Sequence, residues 1–319
     1  MDTVTSLTAL PALGITRVAL TCGVFDGLHR GHRKLVETTL ALARETDAAP
    51  VLFTFHPHPA QVLSPARAPR LLLSEPHKLA LMAEMGLAAA VQFPFNPQVA
   101  AMEPEAFIER ELLGSGVTLT ALVVGDSWRF GFRARGDVAL LRSYGQANDF
   151  AVVGVPPVHD ASGPISSTRI RTALVAGDLD AVERMLGRPF SIMGEVEHGK
   201  GIGTTELHYP TANVHAGNEL FPPSGIYAAR AHLRRPDGCR ETFAGILYLG
   251  NSPTFVDQAP AKPFVEMHIF DFHENIYGQQ IEVEFVGFIR PDARFPSVTA
   301  LCAQIALDIE QAKLVHAAR

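Results

Sequence analysis

The fold of this chain is decided by the stretch Cys22-Gly23-Val24-Phe25-Asp26-Gly27-Leu28-His29-Arg30-Gly31-His32. Apolar residues just before it predict a buried strand over 16–22, and apolar residues at helical spacing after it predict a helix over 31–46. Glycines in such a turn let backbone N–H groups approach a ligand closely, and the first turn of a helix offers free N–H donors with a partial positive charge. The imidazoles of His29 and His32 add hydrogen-bond donors for a phosphate under attack. The stretch therefore predicts a phosphate-binding turn at the end of a buried strand.

Other interpretations of this turn stay open at the level of the residues alone. A glycine turn after a strand is common and could be purely structural. The His-x-x-His pair could be half of a zinc site, although no nearby Cys or His pair supplies the remaining ligands. A P-loop is excluded, because no Gly-Lys-Ser/Thr sequence occurs there.

Up to residue 186 the sequence alternates between short apolar strands and amphipathic helices. The predicted strands are 16–22, 50–55, 88–93, 119–124 and 150–155. The predicted helices are 31–46, 75–85, 104–113, 137–147, 167–176 and 178–186. This alternation predicts a parallel sheet with helices on both faces. Because ligands of such sheets bind outside the carboxyl ends of the strands, the turn lies where a ligand site is expected.

Three further strand ends carry polar side chains suited to chemistry. His58 follows the second strand in a proline-rich loop, where it either faces the site or caps the turn. Ser127 and Trp128 follow the fourth strand, in a loop where aromatic residues alternate with arginines. Such a loop could bind a planar anionic ligand, or its aromatic rings could pack in the core while the arginines face solvent. Ser167 and Thr168 open a helix that carries arginines, so they belong to a polyphosphate clamp or only cap the helix.

From Phe190 the periodicity changes to that of strands. The predicted strands are 190–197, 225–234, 241–249, 263–270 and 280–288, and a last helix is predicted after Ser297. Serial antiparallel strands with little helix predict a small barrel. The sequence therefore divides into two predicted domains, 1–186 and 187–319.

The first domain resembles the nucleotidyltransferases with an HxGH signature, and within them the adenylyltransferase module of bacterial FAD synthetases. The resemblance rests on Gly-x-Phe-Asp-Gly-x-His-x-Gly-His, on a Phe-x-Pro-His-Pro loop and on Ile-Ser-Ser-Thr-x-Ile-Arg. The chain departs from the family at Ser127, where the family carries Asp or Asn, and at Trp128, where it carries Phe. The resemblance implies a Rossmann-like domain in which His29, His32 and Arg171 are catalytic. It also implies ATP- and flavin-binding roles for Gly23, Phe25, Asp26, Gly31, His58, Ser127, Trp128, Ser167 and Thr168.

The second domain, an antiparallel barrel with a C-terminal helix, resembles riboflavin kinase, the second module of the same bifunctional enzymes. Pro210-Thr211-Ala212-Asn213 matches the signature of that kinase, and Glu266 stands at its catalytic-base position. The alternation of the strand alone leaves open that Glu266 is an ordinary outward-facing strand residue. The resemblance implies that Thr211 and Asn213 bind Mg²⁺, for which hard oxygen ligands are suited. It also implies nucleotide-binding roles for Gly199 and Gly203.

The resemblance covers about Thr16 to Ile309 and implies a bifunctional riboflavin kinase/FMN adenylyltransferase. Such an enzyme converts riboflavin and ATP to FMN and ADP, and then FMN and ATP to FAD and pyrophosphate. Two alternatives stay open. Residues 204–209 lack the Gly-Arg-x-Leu-Gly-Phe run of the family, which favours an adenylyltransferase with a weak or inactive kinase module. The other alternative is a non-catalytic flavin-binding sensor, against which the intact candidate catalytic residues argue.

Composition excludes several other classes of protein. The 319 residues carry a net charge of −6 with an isoelectric point near 6.1, which argues against a general nucleic-acid binder. Three scattered cysteines fit a reducing cytosol rather than a disulfide framework. The first residues lack the basic region of a signal peptide, and no apolar run has membrane-spanning length. We therefore expect a cytoplasmic protein with ATP and flavins as partners, without nucleic acid or membrane, and weak self-association stays open.

Overall fold

The computed structural model describes residues 1–197, 209–217, 220–235, 237–250 and 263–319. These residues form two compact units. The first unit contains residues 1–70 and 78–167, and the second contains 71–77 and 168–319. The second unit thus includes a short segment from within the first predicted domain. The predicted boundary between the two domains, after residue 186, stays a prediction.

The first unit is built on a six-stranded sheet in which every neighbouring pair of strands is parallel. Its strands are β1 (Asp2–Val4), β2 (Arg17–Cys22), β3 (Ala49–His56), β4 (Ala89–Pro94), β5 (Thr118–Gly125) and β6 (Ala151–Val155). A short hairpin follows, formed by β7 (His159–Asp160) and β8 (Gly163–Pro164). The predicted parallel sheet is confirmed, and β1 is a strand that the sequence pattern does not predict.

The order of the strands across the sheet is β1-β4-β3-β2-β5-β6, so the direction of the chain reverses at β2. The chain moves from β2 outward to β3 and β4, and then returns to β5 and β6 on the other side. Because crossovers between parallel strands are right-handed, the helices of the two halves cover opposite faces. Such a reversal leaves a crevice outside the carboxyl ends of the two central strands, here β2 and β5, and ligands bind there.

The predicted helices lie close to their predicted bounds, with α2 and α4 as short additions. They are α1 (Arg30–Glu45), α2 (Pro59–Leu63), α3 (Glu75–Glu84), α4 (Pro97–Ala100), α5 (Pro104–Phe107), α6 (Val138–Ala147), α7 (Ser167–Val175) and α8 (Leu179–Leu186). Short polar side chains begin three of them, because Asn96, Asp137 and Asp178 each accept a hydrogen bond from a backbone N–H of the first turn. The boundary between the two units at residue 77 falls within α3.

The segment predicted as one helix over 104–113 is helical but irregular. After α5 it continues as a π-helical turn, Ile108–Leu112, and a 3₁₀ turn, Leu113–Ser115. A Cβ atom at Gly114 would lie 2.9 Å from the carbonyl oxygen of Glu109. Gly114 therefore permits a close backbone approach in which a larger residue would clash.

The second unit contains a closed barrel of antiparallel strands in the order β10-β13-β12-β11-β14-β9. The strands are β9 (Ser191–Glu197), β10 (Ala212–Ala216), β11 (Gly225–Arg234), β12 (Arg240–Gly250), β13 (Phe264–Ile269) and β14 (Gln280–Pro291). The predicted barrel is confirmed, and β10 is the strand that the sequence pattern misses. Apolar side chains fill the interior, where the rings of Tyr227 and Phe285 lie 5.1 Å apart.

The last helix, α9 (Val298–Ala318), packs against the outside of the barrel, as predicted. It begins after Ser297, whose side chain accepts a hydrogen bond from the backbone N–H of Ala300. Ile309 and Ala312 are buried against barrel residues, and Asp308 pairs with Arg290 of β14 at 2.7 Å. The helix therefore covers one outer face of the barrel wall.

The segment 71–77 belongs to the second unit through buried apolar and polar contacts. Leu72 is 1% exposed, and the ring of His77 is fully buried. The Nε2 atom of His77 lies 3.3 Å from Oε1 of Glu282 on β14 and 3.4 Å from Oγ of Ser191 on β9. The segment thus supplies a hydrogen-bonding partner for a buried carboxylate of the barrel.

We expect Glu282→Gln to destabilise the second unit and to flatten its response to acid. Burial alone would raise the pKa of Glu282, but hydrogen bonds with His77 and Ser191 and the charge of Arg240 outweigh burial and lower the pKa to about 2. Because this pKa lies below the unfolded value of 4.5, the stabilisation is present above pH 4.5 and is lost as the pH falls towards 2. The difference corresponds to roughly 3 kcal/mol at neutral pH.

Urea unfolding followed by circular dichroism at pH 7, 4 and 2.5 measures this effect. Glu195→Gln on the neighbouring β9, where the side chain is exposed, is the matched control. If Glu282→Gln lost stability between pH 4.5 and 2.5 as steeply as the unaltered protein, the assignment of this acid response to Glu282 would be wrong.

Candidate active site

A cavity of about 240 Å³ opens at the carboxyl ends of β2, β5 and β6, at the crevice where the strand order reverses. It is lined by residues 22–25 after β2 and by the start of α1. Residues 125–128 at the end of β5, residues 155–158 at the end of β6 and Ile165 complete its wall. The predicted phosphate-binding turn therefore forms part of a cavity in the first unit.

The two histidines of the turn lie together at the N-terminus of α1. The Nδ1 atom of His29 accepts a hydrogen bond of 3.3 Å from the backbone N–H of His32. The two imidazole rings stack with centroids 3.7 Å apart. Because Nδ1 of His29 is an acceptor, the neutral ring carries its proton on Nε2, which is then a hydrogen-bond donor.

Both imidazoles are neutral at pH 7 in this structure. Burial lowers the pKa of His29 to about 4, although a backbone hydrogen bond opposes it. Burial also lowers the pKa of His32 well below its usual value, and repulsion from the protonated form of His29 and from Lys78 lowers it further. The histidines therefore offer N–H groups rather than positive charge before a ligand binds.

The backbone of the turn is tightly coiled beneath these rings. Phe25, Gly27 and Leu28 all have positive φ, at 58°, 83° and 45°. The ring of Phe25 is buried and lies 5.2 Å from that of His32. A Cβ atom at Gly31 would approach the ring of His29 to 3.0 Å, so glycine keeps that ring in its place.

Gly23 and Asp26 are held in the same turn. A Cβ atom at Gly23 would lie 3.1 Å from the ring of Phe25, which is close enough to require a shift. Asp26 is buried, and its backbone carbonyl accepts a hydrogen bond of 2.8 Å from the hydroxyl of Ser167. Ser167 of the second predicted signature is therefore hydrogen-bonded to Asp26 of the first.

The remaining residues of that second signature continue along α7. Thr168 is exposed and Arg171 is half-buried, within the first two turns of the helix. Both belong to the second compact unit, whereas Ser167 belongs to the first. Their predicted role in binding phosphates stays a prediction.

The loop after β5 divides between the cavity and the core. Ser127 and Trp128 line the cavity, and the Trp128 ring stacks on Phe130 with centroids 4.8 Å apart. Phe130 is buried in the core of the sheet domain. Arg129 pairs with Asp137 at 2.8 Å in an exposed ion pair. The loop therefore packs partly into the core, and the predicted ligand-binding role of Ser127 and Trp128 stays a prediction.

His58 lies at the start of α2, after a cis peptide bond between His56 and Pro57. Its Nδ1 atom accepts a hydrogen bond of 3.0 Å from the backbone N–H of Ala60. It caps the helix, and it is not among the residues that line the cavity. Its predicted binding role stays a prediction.

The sequence pattern misses a buried pair of polar side chains beside the turn. Lys78 of α3 is 5% exposed, and its Nζ donates a hydrogen bond of 3.3 Å to Oγ1 of Thr54 on β3. The hydroxyl of Thr54 in turn lies 3.4 Å from the carbonyl oxygen of Val24. The available signal was a lysine four residues before the buried Met82, on the apolar face of a predicted helix.

The second unit brings together two of the residues that resemble a kinase site. Asn213 of β10 lies directly opposite Glu266 of β13 in the antiparallel register. The side chains of such a pair share one face of the sheet. Val265 and Met267 fill the barrel interior, so Glu266 lies on the outer face, where it is half-buried. Burial raises the pKa of Glu266, which favours its neutral form.

A tyrosine extends this row on the other side of Glu266. Tyr248 of β12 is paired with Glu266, and its hydroxyl donates a hydrogen bond of 3.0 Å to Asp292. Burial, more than the carboxyls of Asp292 and Glu266, raises the pKa of Tyr248, so the phenol stays protonated. Thr211, just before β10, is half-buried.

Several predicted nucleotide-binding residues lie outside the described residues. These are Gly199 and Gly203, together with the departures from the family at Thr204, Thr205 and His208. Within the described part of the chain, no group of three or more His, Cys, Asp or Glu side chains is arranged to hold a metal ion. Among the described helices, none is both long enough and apolar enough to cross a membrane.

A Rossmann-like sheet with an HxGH turn at its switch point is the architecture of nucleotidyltransferases, and here the chain continues into a closed barrel. The family model for FAD synthetase matches residues 15–169, and that for riboflavin kinase matches residues 186–316. The two domains thus correspond to two different phosphate-transferring enzymes.

Curated relatives combine both domains in one chain. The chain is 32% identical to the bifunctional riboflavin kinase/FMN adenylyltransferase of Bacillus subtilis, over 91% of this chain and 90% of the relative. It is 34% identical to the enzyme of that name from Escherichia coli K12, over 91% and 90%. A crystal structure described as a macrolide-efflux protein from Streptococcus pneumoniae superposes with a TM-score of 0.76 and 27% identity, over 96% of each chain. The chain belongs to the bifunctional riboflavin kinase/FMN adenylyltransferase family.

Proposed function

We propose that this chain makes FMN from riboflavin and ATP in its barrel, and FAD from FMN and ATP at the cavity of the parallel sheet. FAD formation is assigned to this cavity because the imidazoles of His29 and His32 stack there, at a helix N-terminus and at the point where the strand order reverses. The corresponding functional modules are residues 1–186 and 187–319. The separate family matches to 15–169 and 186–316 support this division.

Adenylyl transfer needs positioning and charge stabilisation rather than a general base. An oxygen of the FMN phosphate attacks the α-phosphorus of ATP. The new O–P bond forms as the bond from the α-phosphorus to the bridging oxygen breaks, and pyrophosphate leaves. The attacking oxygen is already ionised at neutral pH, so no proton has to be removed.

The turn supplies hydrogen-bond donors for the phosphates. Nε2–H of His29 and the N–H groups at the start of α1 would donate hydrogen bonds to the phosphates as negative charge develops. A bound triphosphate would raise the pKa of His29 and His32, because an adjacent negative charge favours the protonated form. Thr168 and Arg171 are proposed as further phosphate ligands. Gly23, Phe25, Asp26, Gly31 and Ser167 shape the turn.

The cavity wall supplies a surface for a planar ring. Trp128 stacks on Phe130 and lines the cavity beside Ser127, whose hydroxyl can donate to a polar edge of a ring. We assign these two residues to the binding of adenine or flavin. His58, which caps α2, remains a candidate for binding the nucleotide or the flavin.

In the barrel, Glu266 is proposed as the general base. It takes the proton of the terminal ribityl hydroxyl of riboflavin while that oxygen attacks the γ-phosphorus of ATP. The bond from the γ-phosphorus to the bridging oxygen breaks, and ADP leaves. Burial raises the pKa of Glu266 toward the operating pH, which improves a base of this kind.

Thr211 and Asn213 fit a magnesium ion that arrives with the nucleotide. They offer a hydroxyl and an amide oxygen, and Asn213 pairs with Glu266 in the register of the barrel. Mg²⁺ is commonly held by a few protein oxygens together with substrate phosphates and water. When bound, the ion would neutralise phosphate charge.

We expect Asn213→Ala and Thr211→Val to raise the Mg²⁺ concentration needed for half-maximal kinase rate. Each change removes one oxygen ligand and leaves Glu266 in place. Kinase rates measured across a Mg²⁺ titration test this, and the adenylyltransferase rate of the same protein is the internal control. An unchanged Mg²⁺ requirement in both variants would remove these residues from the metal site.

The overall proposal is tested by supplying riboflavin, ATP and Mg²⁺ and separating the flavins by chromatography. FMN is expected to appear first and FAD afterwards, with ADP and pyrophosphate as co-products. FAD formed only when FMN is supplied would favour the alternative of an inactive kinase module. Absence of both products would leave the flavin sensor as the better interpretation.

We also infer a cytoplasmic location, which the free state of Cys22, Cys239 and Cys302 supports.

A further inference from the structure

Lys78 places a positive charge in the interior of the first unit, next to the candidate phosphate turn. Its Nζ donates to the hydroxyl of Thr54 at 3.3 Å, and that hydroxyl donates to the carbonyl oxygen of Val24 at 3.4 Å. Thr54 is fully buried, and Lys78 is 5% exposed. Val24 lines the cavity. A continuous hydrogen-bonded path therefore runs from the ammonium to the wall of the cavity.

Burying an ammonium group is unfavourable, and an apolar side chain of similar length could fill the same space without that cost. Among the described residues that line the cavity none is Lys or Arg, Asp126 adds a carboxyl group, and His29 and His32 are uncharged before a ligand binds. A reaction that transfers phosphoryl groups gains from a fixed positive charge close to the phosphates. Lys78 supplies such a charge without facing bulk solvent.

We propose that Lys78 is a positioning residue for adenylyl transfer. Through the hydroxyl of Thr54, Lys78 fixes the Val24 carbonyl and thus the backbone conformation of the turn. Its positive charge lies in the protein interior next to the site that would bind the triphosphate. This inference rests on the proposed assignment of adenylyl transfer to the cavity. It assigns a part in this site to Lys78 of α3 and Thr54 of β3, neither of which the sequence predicts as a site residue.

The environment of His32 supports this placement. Its ring is faced by the rings of His29 and Phe25 and by the charge of Lys78. Burial is the main cause of the lowered pKa of His32, and the charge of Lys78 lowers this pKa further. The residue therefore acts on the geometry of the turn and on the protonation state of one of its donors.

Lys78→Met keeps the length of the side chain and removes its charge. We expect the kcat of FAD formation from FMN to fall roughly 10- to 100-fold, because small displacements of bound phosphates cost that much. The kcat of FMN formation from riboflavin, measured on the same full-length protein, should stay unchanged. An unchanged rate of FMN formation shows that the variant is folded.

Two variants of Thr54 separate the hydrogen-bonded path from the charge. Thr54→Val keeps the shape and removes the hydroxyl, and we expect roughly a 10-fold loss of adenylyltransferase kcat. Thr54→Ser keeps the hydroxyl and is the matched control, with kcat within about twofold of the unaltered protein.

A second measurement distinguishes positioning from a merely structural role. The ring signal of His32, assigned by its loss in His32→Asn, is titrated by NMR in the ligand-free protein. In Lys78→Met the pKa of His32 should rise, because one of the charges that lower it is gone. In Thr54→Val it should stay where it is, since the ammonium remains.

A folded Lys78→Met protein with unchanged adenylyltransferase kcat, or with an unchanged His32 titration, overturns the inference. If Lys78→Met does not fold, the two Thr54 variants test the inference instead. Equal adenylyltransferase kcat values for Thr54→Val and Thr54→Ser overturn it. A lowered kcat in Thr54→Val together with an unchanged kcat in Thr54→Ser supports it. The proposed function fails separately, because an active His29→Ala would remove adenylyl transfer from this cavity altogether.

Discussion

His29→Ala and His32→Ala are each expected to abolish FAD formation while FMN formation persists. On the proposed mechanism each substitution removes an N–H donor to the α-phosphate under attack, and loss of one such donor typically costs ~10²- to 10³-fold in kcat. His29→Ala also removes the Nδ1 atom that accepts the N–H of His32 at the start of α1. We therefore expect it to be the more damaging of the two.

Two separate assays on each variant measure this effect, one starting from FMN and the other from riboflavin. His159→Ala is the matched control, because that imidazole is exposed and lies in the same unit but outside the cavity. Equal loss of both activities in His29→Ala would contradict the assignment of the two reactions to two sites.

Glu266→Gln is expected to lower kinase turnover by ~10²- to 10⁴-fold, the usual contribution of a general base. Glutamine keeps the size and hydrogen bonding of the side chain but cannot take the proton of the ribityl hydroxyl. Its neighbours Asn213 and Tyr248 keep their register across β10, β13 and β12. Riboflavin affinity should change little, and FAD formation from supplied FMN should not change.

Steady-state kinetics at saturating ATP and Mg²⁺ provide the measurement. Glu241→Gln, an exposed carboxylate on the adjacent strand β12, is the control. A kinase turnover of Glu266→Gln within about a factor of two of the unaltered protein would place the base elsewhere.

Much of the fold follows from short-range patterns. The strand Gly225–Arg234 has the bounds that its apolar pattern predicts. The helix Arg30–Glu45 differs from its prediction by one residue at each end. Both elements carry strong local signals. The short strand Ala212–Ala216 was missed because its polar Asn213 and His215 obscure the apolar pattern, and its pairing with β9 and β13 is long-range.

In the candidate site, too, local sequence features could be predicted and long-range contacts could not. The turn around His29 could be predicted because its glycines and histidines are contiguous in the chain. Lys78 could not, because its partner Thr54 lies 24 residues away and only the folded sheet brings them together. The outward position of Glu266 likewise depends on which face of β13 fills the barrel. The irregular helix after Phe107 includes a close approach of Gly114 to Glu109, which the apolar pattern does not show.

The membership of residues 71–77 in the second unit has a consequence for synthesis of the chain. His77 and Glu282 are 205 residues apart. At ~5–20 residues per second, the ribosome needs roughly 10–40 s to make the partner after the segment has emerged. During that interval Leu72 and Leu73, which are buried in the folded protein, belong to a unit that is not yet complete. The nascent chain therefore carries an apolar segment that chaperones could bind, and the second unit can close only near the end of translation.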